Sequence, residues 1–198
     1  MENLFWLLII VVLAGVAIWY FNGGSTNRPA ATGTRQPTVF TLQLGDVVQY
    51  DSIDWIIEDK LTYNDDGWEW VEYLLQDGDH ISYLSVEDAD TLEVTFTEKV
   101  SDCPVDNPPA SQITYRQQIF NRSEKGTAQL NRQRHPERAA ETCQYHDYSG
   151  PNETVMSIEI WDGQIEVSVG NKVRPYQLTF LPGDGESVYR NDTRRQPA

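Results

Sequence analysis

The chain has 198 residues and carries 30 acidic against 15 basic side chains, which gives a formal net charge of −15 at neutral pH. Residues 40–102 account for the whole of this excess, with 17 acidic side chains against two lysines. Nucleic acids and anionic lipid surfaces attract proteins with cationic surfaces, so the composition argues against both as direct partners.

Residues 4–21, LFWLLIIVVLAGVAIWYF, contain no charged side chain. A run of 18 such residues is long enough to cross a bilayer core about 30 Å thick as a helix. Aromatic residues stand at both ends of the run, where membrane interfaces favour them. A cleaved signal peptide is the alternative, but it requires a cationic start and a shorter apolar core. We therefore predict one N-terminal transmembrane helix, with residues 1–21 as the anchor.

The flanking charges predict the orientation of this anchor. Arg28 and Arg35 follow the apolar run, whereas no lysine or arginine precedes it. Cytoplasmic flanks of membrane spans are enriched in these residues. We expect a single-pass protein of the cell (inner) membrane, with its N-terminus outside and its soluble domain in the cytoplasm.

The chain after the anchor divides into three predicted parts. Residues 22–38 are rich in Gly, Ser, Thr, Asn and Pro without apolar periodicity, which predicts a flexible linker. Residues 39–186 are long enough to form one β-rich soluble domain with a core of ordinary size. Residues 187–198, which end in DTRRQPA, predict a frayed tail.

Short β-branched and aromatic segments with a period of two predict strands in the soluble domain, and Gly, Asn and Asp turns separate them. The pattern predicts a mainly β fold, an antiparallel meander that closes into a barrel or a sandwich. Only residues 136–142, PERAAET, predict a short helix. The predicted strands are 47–50, 54–58, 68–75, 81–86, 92–96, 113–120, 155–161, 165–169 and 176–181.

Two segments share a spacing that hints at an internally duplicated β unit. Residues 48–55 and 113–120 each place an apolar residue, a tyrosine and a large aromatic residue at the same intervals, 65 positions apart. Glu72 and Glu159 also lie in similar contexts, but 87 positions apart, so a duplication requires an insertion, for which residues 129–148 are the candidate. Alternating strands resemble one another by construction, so chance similarity explains the spacing more simply.

Two acidic residues lie among tryptophans. Alternation in the strand over residues 68–75 places Glu72 on one face with two tryptophans, and Glu159 shares its face with another. A carboxylate among aromatic rings indicates burial with a raised pKa, which marks a candidate ligand or partner site. An ion pair with arginine or a wet strand edge is the structural alternative and the commoner case. The candidate residues are Trp68, Trp70, Glu72, Tyr73, Glu159 and Trp161.

Residues 115–138 reverse the overall charge, with six basic side chains against two glutamates. Such a cluster suits lipid headgroups or an acidic partner, which makes it a candidate basic partner surface. It equally suits neutralisation of the acidic half of the same fold, which is the commoner role of exposed charge. The basic residues are Arg116, Arg122, Lys125, Arg132, Arg134 and Arg138.

Metal binding and catalysis lack a clear motif. Cys143 and His146 have the spacing of two metal ligands, but Cys103 and His135 would complete a zinc set without tight spacing of their own. We therefore expect no metal and no cofactor.

In the cytoplasm both cysteines are expected to be free thiols. The sequence contains no nucleophile elbow, phosphate loop, dinucleotide fingerprint or metalloprotease motif, so no catalytic residue is predicted.

Recognisable motifs run through nearly the whole predicted domain, with LGDVVQY at residues 44–50, WEWVEYLL at 68–75, LSVED at 84–88 and SIEIW at 157–161. They resemble the bacterial domain-of-unknown-function family 4178. That family is not known as an enzyme, and its members tend to be encoded beside phage-shock-type membrane-remodelling proteins, small membrane proteins and polyamine aminopropyltransferase-like proteins. The resemblance implies an accessory role in membrane homeostasis or stress. Some relatives begin with a cysteine-rich zinc module, which this chain replaces with the apolar run.

The predicted anchor and the lack of a catalytic motif favour a membrane-tethered interaction or adaptor module. It would recruit another membrane-associated protein at the cytosolic membrane face and would not be an enzyme. The alternative is a receptor or enzyme for a small cationic ligand such as a polyamine, because an acidic pocket with aromatic walls suits a cation.

Overall fold

The computed structural model describes residues 35–133 and 141–185. The predicted anchor over residues 1–21 and the predicted tail over 187–198 lie outside the described residues, as does most of the predicted linker over 22–38. In the described ranges, no helix is long and apolar enough to cross a membrane.

Eleven β-strands and two short 3-10 helices make up the regular structure of the described residues. The helices are Pro151–Glu153 and Pro175–Gln177. The strands are β1 (Val47–Tyr50), β2 (Ile53–Asp65), β3 (Trp68–Asp77), β4 (His80–Asp88), β5 (Leu92–Val100), β6 (Gln112–Tyr115), β7 (Gln118–Arg132), β8 (Glu141–Ser149), β9 (Thr154–Trp161), β10 (Gln164–Lys172) and β11 (Thr179–Leu181).

Eight of these strands close into an antiparallel barrel. Their order around the barrel is β2-β3-β4-β5-β10-β9-β8-β7, and β7 pairs back with β2 from Leu61↔Arg132 to Asn64↔Gln129. β1 extends the sheet beside β2, β11 pairs with β1, and β6 pairs with β7. The predicted mainly β meander is therefore confirmed, and it closes as a barrel with extra strands.

Three predicted segments differ from the structure. The predicted strand over residues 113–120 is two strands, because Arg116 and Gln117 adopt φ of 46° and 66° and reverse the chain. The predicted strand over 176–181 begins as a 3-10 turn, and only its second half joins β11. Of the predicted helix over 136–142, residues 136–140 lie outside the described residues and the last two belong to β8.

The chain repeats one structural plan. β1 and β6 have four residues each, and a two-residue turn joins each of them to a long strand, β2 or β7. Both residues of each turn have positive φ, at Asp51 and Ser52 and again 65 positions later. Three further antiparallel strands follow in each half. Glu72 and Glu159 are not at equivalent positions of this repeat, because Glu72 lies on the third strand of its half and Glu159 on the fourth. Chance similarity between alternating strands does not account for the two matching turns.

A β-bulge in each long strand moves its side chains from one layer to another. The register of β2 with β3 shifts between Ile57 and Asp59, and that of β7 with β8 shifts 65 positions later. Before the first bulge, Ile57 packs in an outer layer, whereas after it Leu61 and Tyr63 pack inside the barrel. The inserted residue of a bulge inverts the alternation, so one strand serves both layers.

Three apolar clusters stabilise the fold. The first lies between β1, residues 39–42 and the outer faces of β3 to β5, and the second lies beneath residues 103–105 and β6. The third fills part of the barrel interior with Leu61, Tyr63, Ala128, Leu130, Cys143 and Tyr145. Most of the buried apolar side chains in these clusters belong to the two outer ones. The rest of the barrel interior can therefore carry polar side chains.

Candidate functional site

The closed barrel encloses a cavity of about 290 Å³, which we call the lumen. Its lining residues come from seven of the eight barrel strands, and most of them occupy alternate positions, such as Trp70 and Glu72 of β3 and Ser157 and Glu159 of β9. Alternate residues of a strand share one face, so these side chains point into the barrel. The volume is close to the lower end of the range for small-molecule sites.

Acidic side chains dominate the lumen. Among its described lining residues, Lys172 is the only lysine or arginine, and its Nζ lies 2.5 Å from Oε2 of Glu93. The ammonium group of Lys172 is therefore already paired with a carboxylate of the lumen wall. Serine and threonine hydroxyls and four aromatic rings supply most of the remaining lining. Six carboxylates line the lumen, those of Glu72, Glu87, Glu93, Glu124, Asp147 and Glu159.

Glu72 and Glu159, which we call the carboxyl pair, meet across the lumen from strands that are not neighbours in the barrel. Both residues also line a second cavity of about 30 Å³. This second cavity has room for a water molecule. The carboxyl pair thus stands between the lumen and a small, water-sized space.

Hydrogen bonds hold the carboxyl pair in place. The hydroxyl of Tyr63 on β2 donates to Oε1 of Glu72 at 3.4 Å and also bonds to Glu159. Nε1 of Trp161 donates to Oε2 of Glu159 at 3.1 Å. One tyrosine therefore bridges the two carboxyl groups, which orients both of them towards the same region of the lumen.

Burial raises the pKa of both members of the carboxyl pair. The pKa of Glu159 rises to about 7, because desolvation outweighs the hydrogen bonds from Tyr63 and Trp161 that favour its charged form. The pKa of Glu72 rises well above its ordinary value through desolvation and then through the charge of Glu159. Near neutral pH the pair consequently retains a proton, as two close carboxylates do when no cation separates them.

Aromatic rings form a continuous wall beside the pair. Tyr63 and Trp70 stack with ring centroids 4.9 Å apart and planes 5° from parallel. The edge of Tyr145 meets Trp70 at 5.1 Å, and Trp161 lies 6.5 Å from Tyr63. Such rings are rigid, and their faces attract cations.

Three further acidic residues lie towards the open end of the lumen, and we call Glu87, Glu124 and Asp147 the mouth carboxylates. Glu124 is exposed, and the lining continues onto exposed residues of the β4–β5 turn, which identifies this end as the opening. Nε1 of Trp68 donates to Oε1 of Glu87 at 2.9 Å. Burial, opposed by a hydrogen bond from Ser157, raises the pKa of Asp147 to about 6.

The opposite end of the lumen carries side chains of both charges. The small second cavity is lined by Tyr83 and by an ion pair in which Nζ of Lys99 lies 2.6 Å from Oε1 of Glu166. Arg132 of β7 lies close enough to lower the pKa of Glu72 by its charge. Basic side chains therefore accompany the acidic ones at the far end of the lumen, next to the carboxyl pair.

Most of the predicted site residues come together in this barrel. Trp68, Trp70, Glu72 and Glu159 line the lumen, and Trp161 contacts it through its bond to Glu159. Tyr73, the sixth candidate, lies on the opposite face of β3. There its buried hydroxyl donates to the carbonyl oxygen of Val39 at 2.9 Å.

Sequence reasoning missed four residues that shape the lumen. Tyr63 lies beyond the bulge of β2, so simple alternation from Trp55 assigns it to the outer face instead of the lumen. Tyr145 and Asp147 lie in residues 129–148, which the sequence suggested as an insertion between strands. Glu124 was noted only as one of the two glutamates among the basic side chains of residues 115–138. The alternation of Cys143, Tyr145 and Asp147 along β8 is the signal by which Tyr145 and Asp147 could have been found.

The predicted basic surface is dispersed. Arg116 pairs with Asp102 at 3.2 Å, and Nη1 of Arg122 donates to the carbonyl oxygen of Pro109 at 3.2 Å. Lys125 is exposed on the outer side of β7, whereas Arg132 is on the side of the lumen. Arg134 and Arg138, the other two predicted members, lie outside the described residues.

The cysteines are far from forming a metal site. Cys103 belongs to the second apolar cluster and Cys143 to the third, and both are buried free thiols whose pKa burial raises. Within the described ranges, no three His, Cys, Asp or Glu side chains are grouped so as to hold a metal ion. His135, named with them as a candidate ligand, lies outside these ranges.

Comparisons with known proteins identify a family and nothing more specific. The sequence profile described as "Domain of unknown function (DUF4178)" matches residues 43–175. The matched range begins before β1 and ends after β10, so it includes every barrel strand. Neither the curated proteins nor the solved structures yield a match.

Proposed function

The chain belongs to the DUF4178 family, whose description assigns no activity, and from that premise we propose a function for its lumen. The barrel is a receptor for a small organic cation, an amine of which a polyamine is one example. The ammonium group of this ligand binds between Glu72 and Glu159.

The carboxyl pair inside an aromatic cavity is the observation that carries this proposal. Burial raises the pKa of both groups, and the charge of Glu159 raises that of Glu72 further, so the two carboxyl groups do not both ionise readily without a cation. An ammonium ion placed between them compensates both charges and donates hydrogen bonds to both. The faces of Trp70 and Tyr145 favour the same charge through cation–π attraction.

The proposal concerns binding and not a reaction. The lumen supplies fixed negative charge, hydroxyl groups and rings, which are the elements of cation recognition. Its nearest thiol, Cys143, has a pKa raised by burial and is a poor nucleophile at neutral pH. A small, largely preformed pocket with a few convergent polar groups is typical of ligand sites.

Calorimetric titration of the full chain in a non-ionic detergent, with spermidine as the probe, tests this function. We expect saturable binding to the wild type and affinity lowered about tenfold or more in Glu72→Gln and Glu159→Gln, since each loses one charge-assisted hydrogen bond. Glu98→Gln is the matched control, because this exposed glutamate faces away from the lumen on β5. No saturable heat, or equal affinities in all three variants, would contradict the proposal.

A second candidate function rests on the apolar run over residues 4–21. We propose that it tethers the barrel to the cytosolic face of the cell membrane, where the protein acts as an adaptor for another membrane-associated protein. An accessory role in membrane homeostasis or stress is consistent with such a tether. The exposed rings and aliphatic side chains at the mouth, such as Trp68 at 46% and Leu92 at 37% exposure, offer a contact surface.

Cysteine labelling in intact cells tests the orientation of this tether. Cys103 and Cys143 are buried, so we introduce an exposed thiol by Ser101→Cys. We expect a membrane-impermeant maleimide to label this position only after lysis, and to label Asn3→Cys in intact cells. Labelling of the Ser101→Cys variant in intact cells would show the opposite orientation.

A further inference from the structure

We infer that the ligand of the lumen is an α,ω-diamine, with one ammonium group at the carboxyl pair and the other at the mouth carboxylates. This inference rests on the proposed function and specifies the class of amine. It follows from the arrangement of two separate acidic groups along one cavity, each able to hold one ammonium ion.

The strand register fixes the separation of the two groups. Glu72 lies opposite Ser85 of β4, and Glu87 is two residues further along that strand. In the other wall, Glu159 lies opposite Tyr145 of β8, and Asp147 is again two residues further along. Two residues of extended chain advance about 6–7 Å. Both walls of the lumen thus repeat an acidic group at the same interval.

This interval matches the span of a short diamine. An extended chain of about four or five methylene groups places its two nitrogens roughly 6–7 Å apart, the advance of two strand residues. Trp70 lies opposite Glu87 and Tyr145 lies opposite Glu159, so these two rings, with centroids 5.1 Å apart, accompany the levels of both acidic groups and suit the methylene chain. A monoamine would leave the mouth carboxylates without a counter-ion.

Room and charge together fix the direction of the diamine. Beyond the carboxyl pair, the second cavity of about 30 Å³ has room for little more than a water molecule, and Lys99 there is already paired with Glu166. At the mouth, Lys172 is paired with Glu93, which leaves the opposite side of the opening acidic. A second ammonium group is therefore accommodated only towards Glu87, Glu124 and Asp147, where their mutual repulsion is relieved.

Titration of the full chain with putrescine and with butylamine tests the inference. We expect putrescine to bind the wild type about tenfold or more tightly than butylamine, since it makes an additional charge-assisted contact. Glu87→Gln keeps an acceptor for Trp68 but loses the charge, so it should lower putrescine affinity and leave butylamine affinity unchanged. Glu72→Gln should weaken both amines, and Glu98→Gln neither.

The outcomes separate this inference from the proposed function. If butylamine binds as tightly as putrescine and Glu72→Gln weakens both, the lumen is an amine receptor but the diamine assignment is wrong. If Glu87→Gln weakens both amines equally, or if magnesium displaces putrescine at equal concentration, general charge attraction explains the preference and the inference fails. If the wild type binds no amine, both proposals are wrong.

Discussion

Glu159 couples the stability of the fold to pH. Its pKa is about 7 in the folded chain against an ordinary value of 4.5, chiefly because it is desolvated. The folded chain therefore retains a proton that the unfolded chain has released between these two values. The contribution of Glu159 to stability is therefore largest below about pH 4.5, and this contribution is lost as the pH rises towards 7.

This linkage gives a prediction for a single substitution. We expect the free energy of unfolding of the wild type to fall by roughly 2–3 kcal/mol between pH 4.5 and 7, after allowance for screening by water in the lumen. Glu159→Gln cannot ionise, so its stability should fall less over the same range. Urea unfolding at a series of pH values measures both curves, with Glu98→Gln as control. A wild-type stability that rises through this range would contradict the assignment.

The residue-scale site was only partly predictable from the sequence. Alternation within one strand is local, and it correctly placed Glu72 beside two tryptophans and Glu159 beside a third. The meeting of these two glutamates is non-local, because it depends on which strands lie across the barrel from each other. Tyr63 was missed because a bulge in β2 determines where its side chain points. Asp147 was missed because its strand, β8, was not predicted.

At the scale of elements, the two hairpin turns hold non-glycine residues in a left-handed conformation. Asp51 and Ser52 have φ of 51° and 67°, which matches the twist of antiparallel strands in a two-residue hairpin. Side chains other than Asn, Asp and Gly disfavour this conformation by roughly 1–2 kcal/mol each. The turn therefore stores local strain that the surrounding strands offset.

Replacing this turn by Asn-Gly should stabilise the protein. Both residues are exposed, and Asn-Gly is the preferred pair for such a hairpin. We expect Asp51→Asn with Ser52→Gly to raise the free energy of unfolding by about 0.5–1 kcal/mol, part of the gain being offset by the greater freedom of glycine when unfolded.

Chemical denaturation measures this change. The equivalent substitutions at Arg116 and Gln117 serve as comparison, and they should gain less because they remove the ion pair with Asp102. Loss of stability in the first variant would show that the side chain of Asp51 or Ser52 makes a contact worth more than the strain.

The sequence also predicted elements better than their connections. Period-two segments and Gly-containing turns predicted most strands, because both signals are local. The turn at Arg116 and Gln117 was hidden, since neither residue is typical of a left-handed turn. β8, with the sequence ETCQYHDYS, has too few apolar residues to stand out, because one of its faces lines a polar lumen.

At the scale of the whole molecule, the first described residues contribute to the fold. Arg35 pairs with the buried carboxylate of Asp46, which also accepts hydrogen bonds from the backbone N–H groups of Gln43 at 2.8 Å and Gly183 at 2.9 Å. This carboxylate thus ties the start of the described chain to a segment near its end. The compact unit accordingly begins at Arg35.

Two truncations test where the independent domain begins. We expect a chain that lacks residues 1–34 to give a circular dichroism spectrum typical of β-structure and to unfold cooperatively. Removal of residues 1–37 also removes Arg35, which should lower the free energy of unfolding by about 1–2 kcal/mol, because the buried Asp46 side chain loses its cationic partner. Equal stability of the two fragments would show that this ion pair contributes nothing.

The closure of β2 against β7 has a consequence for how the protein folds. Leu61 and Arg132 come from different halves of the chain, which the pairing of β5 with β10 also joins, so the barrel closes through contacts between residues distant in the sequence. Until that step the six carboxylates of the lumen are spread over open sheets in water, and closure gathers them into one space. Their repulsion therefore opposes the closure of the barrel. If the lumen binds an amine as proposed, we expect the amine to act as a counter-ion for closure and to speed refolding.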